Sequence, residues 1–131
     1  MQTSDLQKRI REMYDAFNMR DIDAVLGGLT SDVAWANGME GGHVYGKDSV
    51  RTYWTRQFEQ IRSTVEPERI ELQPAGRVVV DVHQVVRSTD GAEILSDTTV
   101  RHVFTLTDGL ISRFDIVDEK RPMLTQETDR G

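Results

Sequence analysis

Few side chains in this 131-residue chain can do chemistry. There is no Cys, which excludes disulfides, thiol nucleophiles, Cys-ligated zinc and iron–sulfur clusters. No GxSxG elbow, phosphate loop or dinucleotide fingerprint occurs. Three histidines and a small set of amides and hydroxyls remain. His102 leads, because period-two alternation puts it on one face with Val100, Phe104 and Leu106. An imidazole, with a reference pKa of about 6.5, suits proton transfer near neutrality. His102 is therefore the candidate general acid/base, its competing role being a core histidine bonded to Asn37, Gln84 or backbone.

Alternation also turns Gln84 inward with Val78, Val80, Val82 and Val86, and Asn37 inward with Val33 and Trp35. Three apolar faces thus each carry one polar group. An unpaired polar group in a dry core costs about 1–3 kcal/mol, so these three must pair or line a wet cavity. Asn37 is the second catalytic candidate, as a holder of ligand or water. The alternative is a strand-end residue bonding the turn at Gly38. Tyr14 can offer a hydroxyl to the cavity or simply belong to a helix stripe. Asp118 continues the inward frame but begins a solvated Asp-Glu-Lys-Arg run. His43 sits in a glycine-rich loop at the cavity rim, and His83 faces outward. These positions do not converge, so no metal site is expected.

The elements that must position these residues are a helical front and a strand-rich back. Leu6, Ile10, Met13, Tyr14 and Phe17 recur at helical spacing, predicting a helix over 4–19 with a Ser4–Gln7 capping box. Asp21 reads as the N-cap of a shorter helix carrying Ile22, Val25, Leu26 and Leu29. A short strand over 33–37 and a mobile loop over 38–46 follow. A third helix over 47–62 bears Val50, Trp54, Phe58 and Ile61, flanked by Tyr53 and Gln57. Strands are expected at 65–74, 77–88, 93–107 and 110–118, joined by short turns that imply antiparallel pairing. Pro67 suggests that its strand lies at an edge or begins after it. The expectation is one α+β domain over 1–131, with 119–131 as a mobile tail. Its three helices pack on the concave face of a curved antiparallel sheet, leaving a cavity at the open end of a cone. Trp35, Trp54, Tyr14 and Phe104 would supply the aromatic wall.

Charge narrows the partners. With 22 acidic and 16 basic residues the net charge is −6, which argues against nucleic acid. No apolar run approaches bilayer-spanning length, and the N-terminus lacks a signal-peptide core, so a cytoplasmic location is expected. Val79, Val85 and Val103 beside Arg87 and Arg101 make the outer sheet face a candidate homodimer interface.

The order of elements, with YDAFNMRDIDAVLGGLTSDVAWAN (14–37), YGKDSVRTYW (45–54) and VFTLTDGLISRFDIVD (103–118), resembles the nuclear transport factor 2-like superfamily. The nearest branch is that of SnoaL-like polyketide cyclases and limonene epoxide hydrolases, with ketosteroid isomerases as cousins. The resemblance implies the cone fold, a dimer through the outer sheet face and a cofactor-independent small-molecule site, without fixing the activity. Asn37 falls where the hydrolases hold water with Asn and where the isomerases carry their basic Asp; Trp35 replaces the hydrolases' Tyr. Val82 and Gln84 fall on the hydrolases' Arg-x-Asp pair and Ile116 on their second Asp, so the charged trio is missing. His102 falls near the isomerases' hydrogen-bond-donating Asp, allowing one gap. The ligand-contacting set so implied is Tyr14, Phe17, Trp54 and Phe58 from the helices and Trp35, Val82, Gln84, Val100, Phe104, Phe114 and Ile116 from the strands. The reaction class expected is isomerisation, dehydration, cyclisation or hydrolysis of an apolar or cyclic molecule. The alternative is a binding or dimeric interaction module without chemistry.

Overall fold

Helix α1 (Thr3–Asn18) turns Ile10 and Tyr14 into the core and leaves its charged side chains in solvent. The computed structural model describes residues 3–38 and 40–117, so Asp118 and the expected tail over 119–131 lie outside the described residues. The expected Ser4–Gln7 capping box lies outside the described residues on its Ser4 side. The Gln7 amide donates to the Ile70 carbonyl at 3.3 Å. At its C-terminus α1 ends in a Schellman arrangement. Asp21 N–H donates to Ala16 O at 2.9 Å and Arg20 N–H to Phe17 O at 3.0 Å, with Arg20 left-handed at φ 63°.

Helix α2 (Ile22–Leu26) is capped by Asp21, whose carboxylate accepts from Ala24 N–H. It is shorter than its apolar pattern suggests. Leu29, expected on that helix, opens strand β1 (Leu29–Ala36) instead. The segment expected as a loop over 38–46 closes with strand β2 (His43–Tyr45), which pairs antiparallel to β1. Helix α3 (Lys47–Gln60) follows and buries Val50, Tyr53 and Trp54.

Strands β3 (Arg62–Gln73), β4 (Arg77–Arg87), β5 (Ile94–Thr107) and β6 (Leu110–Val117) form an antiparallel run, as their short turns require. The sheet order is β2-β1-β6-β5-β4-β3. The expectation of a wholly antiparallel sheet needs one correction: β1 and β6 run parallel. No turn joins those two strands, so nothing local in the sequence could set their relative direction. Pro67 lies in the edge strand β3, and the register slips between Pro67 and Arg69. An edge position and a bulge are where a residue without an N–H can sit in a sheet.

The three helices cover one face of this curved, unclosed sheet. Between them lies a core built on Trp54, Phe104, Trp35 and the inner valines of β4. Trp35 stacks on Phe114 at 4.2 Å between ring centroids and meets Trp54 edge-on at 5.1 Å. Strands β1 and β6 are thereby tied to each other, and β1 to α3.

Candidate functional site

The ends of α1, α3, β1, β4 and β6 and the start of β3 converge on one opening of the cone. Beneath it is a cavity of about 190 Å³. Its lining includes nine residues of the expected set: Tyr14, Phe17, Trp35, Trp54, Gln84, His102, Phe104, Phe114 and Ile116. Phe58, Val82 and Val100 do not line it. Val82 and Val100 are cross-strand partners absorbed by the packed core, while Phe58 packs edge-on against Phe17.

Asn37 is the larger correction. It follows the last residue of β1, and its side chain turns to its own loop. Its carbonyl oxygen accepts from Glu40 N–H at 2.9 Å, and its amide reaches the Glu40 carboxylate at 3.5 Å. It borders a separate surface groove with Glu40 and Arg56. An Asn leaving a strand can satisfy the backbone of the following turn, and that local bond prevails over the inward frame. The convergence of Asn37, Gln84 and His102 therefore fails at its first member.

His102 is 6% exposed, and its Nδ1 lies 2.8 Å from the Tyr14 hydroxyl, with the rings nearly parallel. Phe114 meets it edge-on at 4.7 Å. Burial drives its pKa down from 6.5 to about 3, so the imidazole is neutral at pH 7. The same burial pushes the Tyr14 hydroxyl well above its ordinary value and keeps it protonated. Between a phenol and a neutral imidazole, the phenol is the stronger acid and the imidazole the stronger base. Tyr14 O–H therefore donates to Nδ1, and the ring hydrogen resides on Nε2. No described residue bonds Nε2, and His102 forms part of the cavity wall. With Nδ1 taken by Tyr14, Nε2 is the ring nitrogen left for another partner. The neutral imidazole so held is a hydrogen-bond donor and acceptor rather than an imidazolium at neutral pH.

Gln84 lies toward the mouth of the same cavity. Val80 is the cross-strand partner of His102, and Gln84 is four residues further along β4, about 13 Å at strand spacing. Gln84 is 3.5 Å from the Ser63 hydroxyl. Near the mouth, the Tyr53 hydroxyl accepts from Gly38 N–H at 3.0 Å and from the Gln57 amide at 3.3 Å. Sequence reading missed Tyr53, Gln57 and Ser63 as cavity residues. Extending the alternation of Val65 back by two residues would have found Ser63.

The other two histidines lie elsewhere. His43 is on β2 rather than at the cavity rim, 2.8 Å from Asp115, which also accepts from Arg113. His83 faces outward, as its alternation predicts, and bonds Asp97 at 2.6 Å. Among the described residues, no three His, Asp or Glu side chains come together as a metal-binding group.

Solved structures share this architecture. TerC, co-crystallised with polyporic acid, superposes with a TM-score of 0.75 at 24% identity over 88% of this chain and 92% of that one. An NTF2-like protein of unknown function from Burkholderia pseudomallei matches with a TM-score of 0.75 and 26% identity, covering 87% and 90%. An LEH-like epoxide hydrolase from M. tuberculosis matches at 0.74 and 19% identity, covering 90% and 85%. No curated protein matches the chain. The family model for the SnoaL-like domain matches residues 10–114, from the buried face of α1 to the middle of β6. That span holds most of the helical layer and all of β1 to β5, and on it the chain belongs to the SnoaL-like domain family of NTF2-like proteins.

Proposed function

We propose that the chain binds a small apolar or cyclic molecule in the cone cavity, with a ligand oxygen accepting from His102 Nε2–H. The observation that carries this reading is a buried Tyr14–His102 pair in an otherwise largely aromatic and aliphatic wall. Few convergent polar groups in an apolar concavity are the usual anatomy of a small-molecule site. A hydrogen bond from a neutral imidazole in a dry site stabilises a carbonyl, and stabilises it more as negative charge builds on the oxygen. Those isomerisations, dehydrations, cyclisations and hydrolyses that pass through an enolate or oxyanion build such charge. Gln84, Gln57 and Ser63 would orient the end of the ligand nearer the mouth. TerC, which shares the fold, was co-crystallised with polyporic acid. A homodimer through the outer sheet face and a cytoplasmic location complete the proposal.

The second reading is binding without chemistry. It is favoured by the His102 pKa of about 3, far from the neutral range in which general acid/base catalysis is efficient.

Thermal-shift screening with small cyclic ketones and phenols tests the site, since binding to the native state raises the melting temperature. Hits should lose most of their shift in His102→Gln and in Val86→Trp, which fills the mouth. Shifts unchanged by both substitutions would place binding elsewhere. Product formation from a hit by the native protein, lost in His102→Gln, separates the enzymatic reading from the binding one.

A further inference from the structure

Two hollows of this molecule share a wall. The cavity of about 190 Å³ is bounded by Met13 of α1 and Val25 of α2. A groove of about 290 Å³ between α1, α2 and the β5–β6 turn is bounded by the same two residues, together with Leu6, Ile10, Ala24 and Ile111 among others. At Met13 and Val25 the hollows are therefore one residue apart.

The two wall residues differ in stiffness. Val25 is 2% exposed and β-branched, which leaves it one preferred rotamer in a helix. Met13 is only partly buried against the core, and its unbranched thioether chain turns about three bonds to fill irregular space. Displacing the Met13 side chain alone would join the hollows. Met13 also precedes Tyr14, whose hydroxyl holds His102, so the thin wall adjoins the polar pair.

The groove suits an apolar chain. Ala16, Ala24 and Gly28 leave room along α1 and α2, and the Gly28 carbonyl accepts from Ile111 N–H at 2.9 Å, which fixes the groove's sheet side. Arg9 and Glu12 are its only charged lining residues among those described, and the Arg9 guanidinium donates to the Gly109 carbonyl at 2.9 Å.

We infer that Met13 is a displaceable partition, and that the ligand of the cavity carries an aliphatic chain which passes Met13 into this groove. The preferred ligand class is a ring ketone with a chain of several carbons on its carbonyl: rings in the cavity, oxygen at His102, chain in the groove. The inference rests on the cavity-binding reading and adds to it the shape of the ligand. Each methylene that leaves water for the groove should tighten binding roughly three- to fourfold. Met13 gives up one set of apolar contacts for another as it moves, so its displacement offsets little of that gain.

A series of naphthyl n-alkyl ketones, from the methyl to the heptyl member, tests it by calorimetry. The readout is the ratio of heptyl to methyl affinity. Met13→Phe puts a bulky, stiffer side chain in the wall and should lower that ratio about tenfold, the worth of two buried methylenes. Ala24→Phe, at an exposed position that lines the groove and not the cavity, should lower it similarly while the methyl ketone stays within about twofold of native. An equal ratio in the native protein and both variants would overturn the partition, because the chain would then leave by the mouth. Equal loss of the methyl and heptyl ketones in Ala24→Phe would overturn it as well. Methyl ketone binding undiminished in Val86→Trp would instead overturn the cavity reading on which it stands.

Discussion

Desolvation acts in the same sense on both members of the Tyr14–His102 pair, holding each in its neutral form. For the imidazole this has a measurable consequence. The unfolded chain takes up a proton near pH 6.5 and the folded chain only near pH 3. Between those values the unfolded state binds more protons, so stability present above about pH 6.5 is lost as pH falls. The slope is at most about 1.4 kcal/mol per pH unit. Urea melts from pH 7 to pH 4 should show a steeper decline for the native protein than for His102→Gln; equal slopes would mean that the imidazole is not desolvated. Tyr14→Phe keeps the ring and removes the donor, leaving Nδ1 buried and unpaired. It should cost about 1–3 kcal/mol in the same melts. The alternation that turned His102 inward was legible in the sequence. Its partner was not, because Tyr14 and His102 are 88 residues apart.

Element ends decide how the mouth is held open. Strand β3 is an edge of the sheet, and Asn18 at the end of α1 completes it. The Asn18 amide donates to Val65 O at 2.7 Å, and its carbonyl accepts from Val65 N–H at 2.9 Å. One side chain thus does the work of a neighbouring strand at one residue, covering an edge that would otherwise be open to pairing. Asn18→Ala should cost about 1–3 kcal/mol and accelerate hydrogen exchange at the Val65 amide. An unchanged exchange rate would mean that the clamp contributes little. The turn between β3 and β4 depends on Gly76, at φ 75°, where an added Cβ would lie 2.8 Å from the Leu106 carbonyl oxygen. Gly76→Ala should destabilise by more than about 1 kcal/mol, with the loss read from its denaturation midpoint. The turn's place was evident from Pro74-Ala75-Gly76. The approach of Leu106 required the fold.

Across the whole molecule, the sheet has one face given to the cavity and core and the other to a charged network. His43, Asp115 and Arg113 are bonded together on the outer face, and Arg101 bonds Asp81 at 2.9 Å. Val103, expected to be an outward apolar residue, is only 8% exposed even in a single chain. The outer face therefore offers a smaller apolar patch than the valine pattern suggested, bordered by the paired Arg101 and Asp81. If the proposed homodimer forms there, light scattering should give the mass of two chains. Val79→Glu, at the cross-strand partner of Val103, should then shift it to that of one. A single-chain mass for the native protein would remove the dimer from the proposal.

Period-two and helical patterning in the sequence determined the element types, most strand limits, the antiparallel run from β3 to β6 and the inward turn of His102. Each of these is a local property, set by where consecutive side chains point. The tertiary structure decided the parallel union of β1 with β6, the Tyr14–His102 bond, the diversion of Asn37 into its own loop and the burial that takes His102 to a pKa of about 3. Those depend on which distant segments meet and how much water they exclude, quantities that no spacing along the chain encodes.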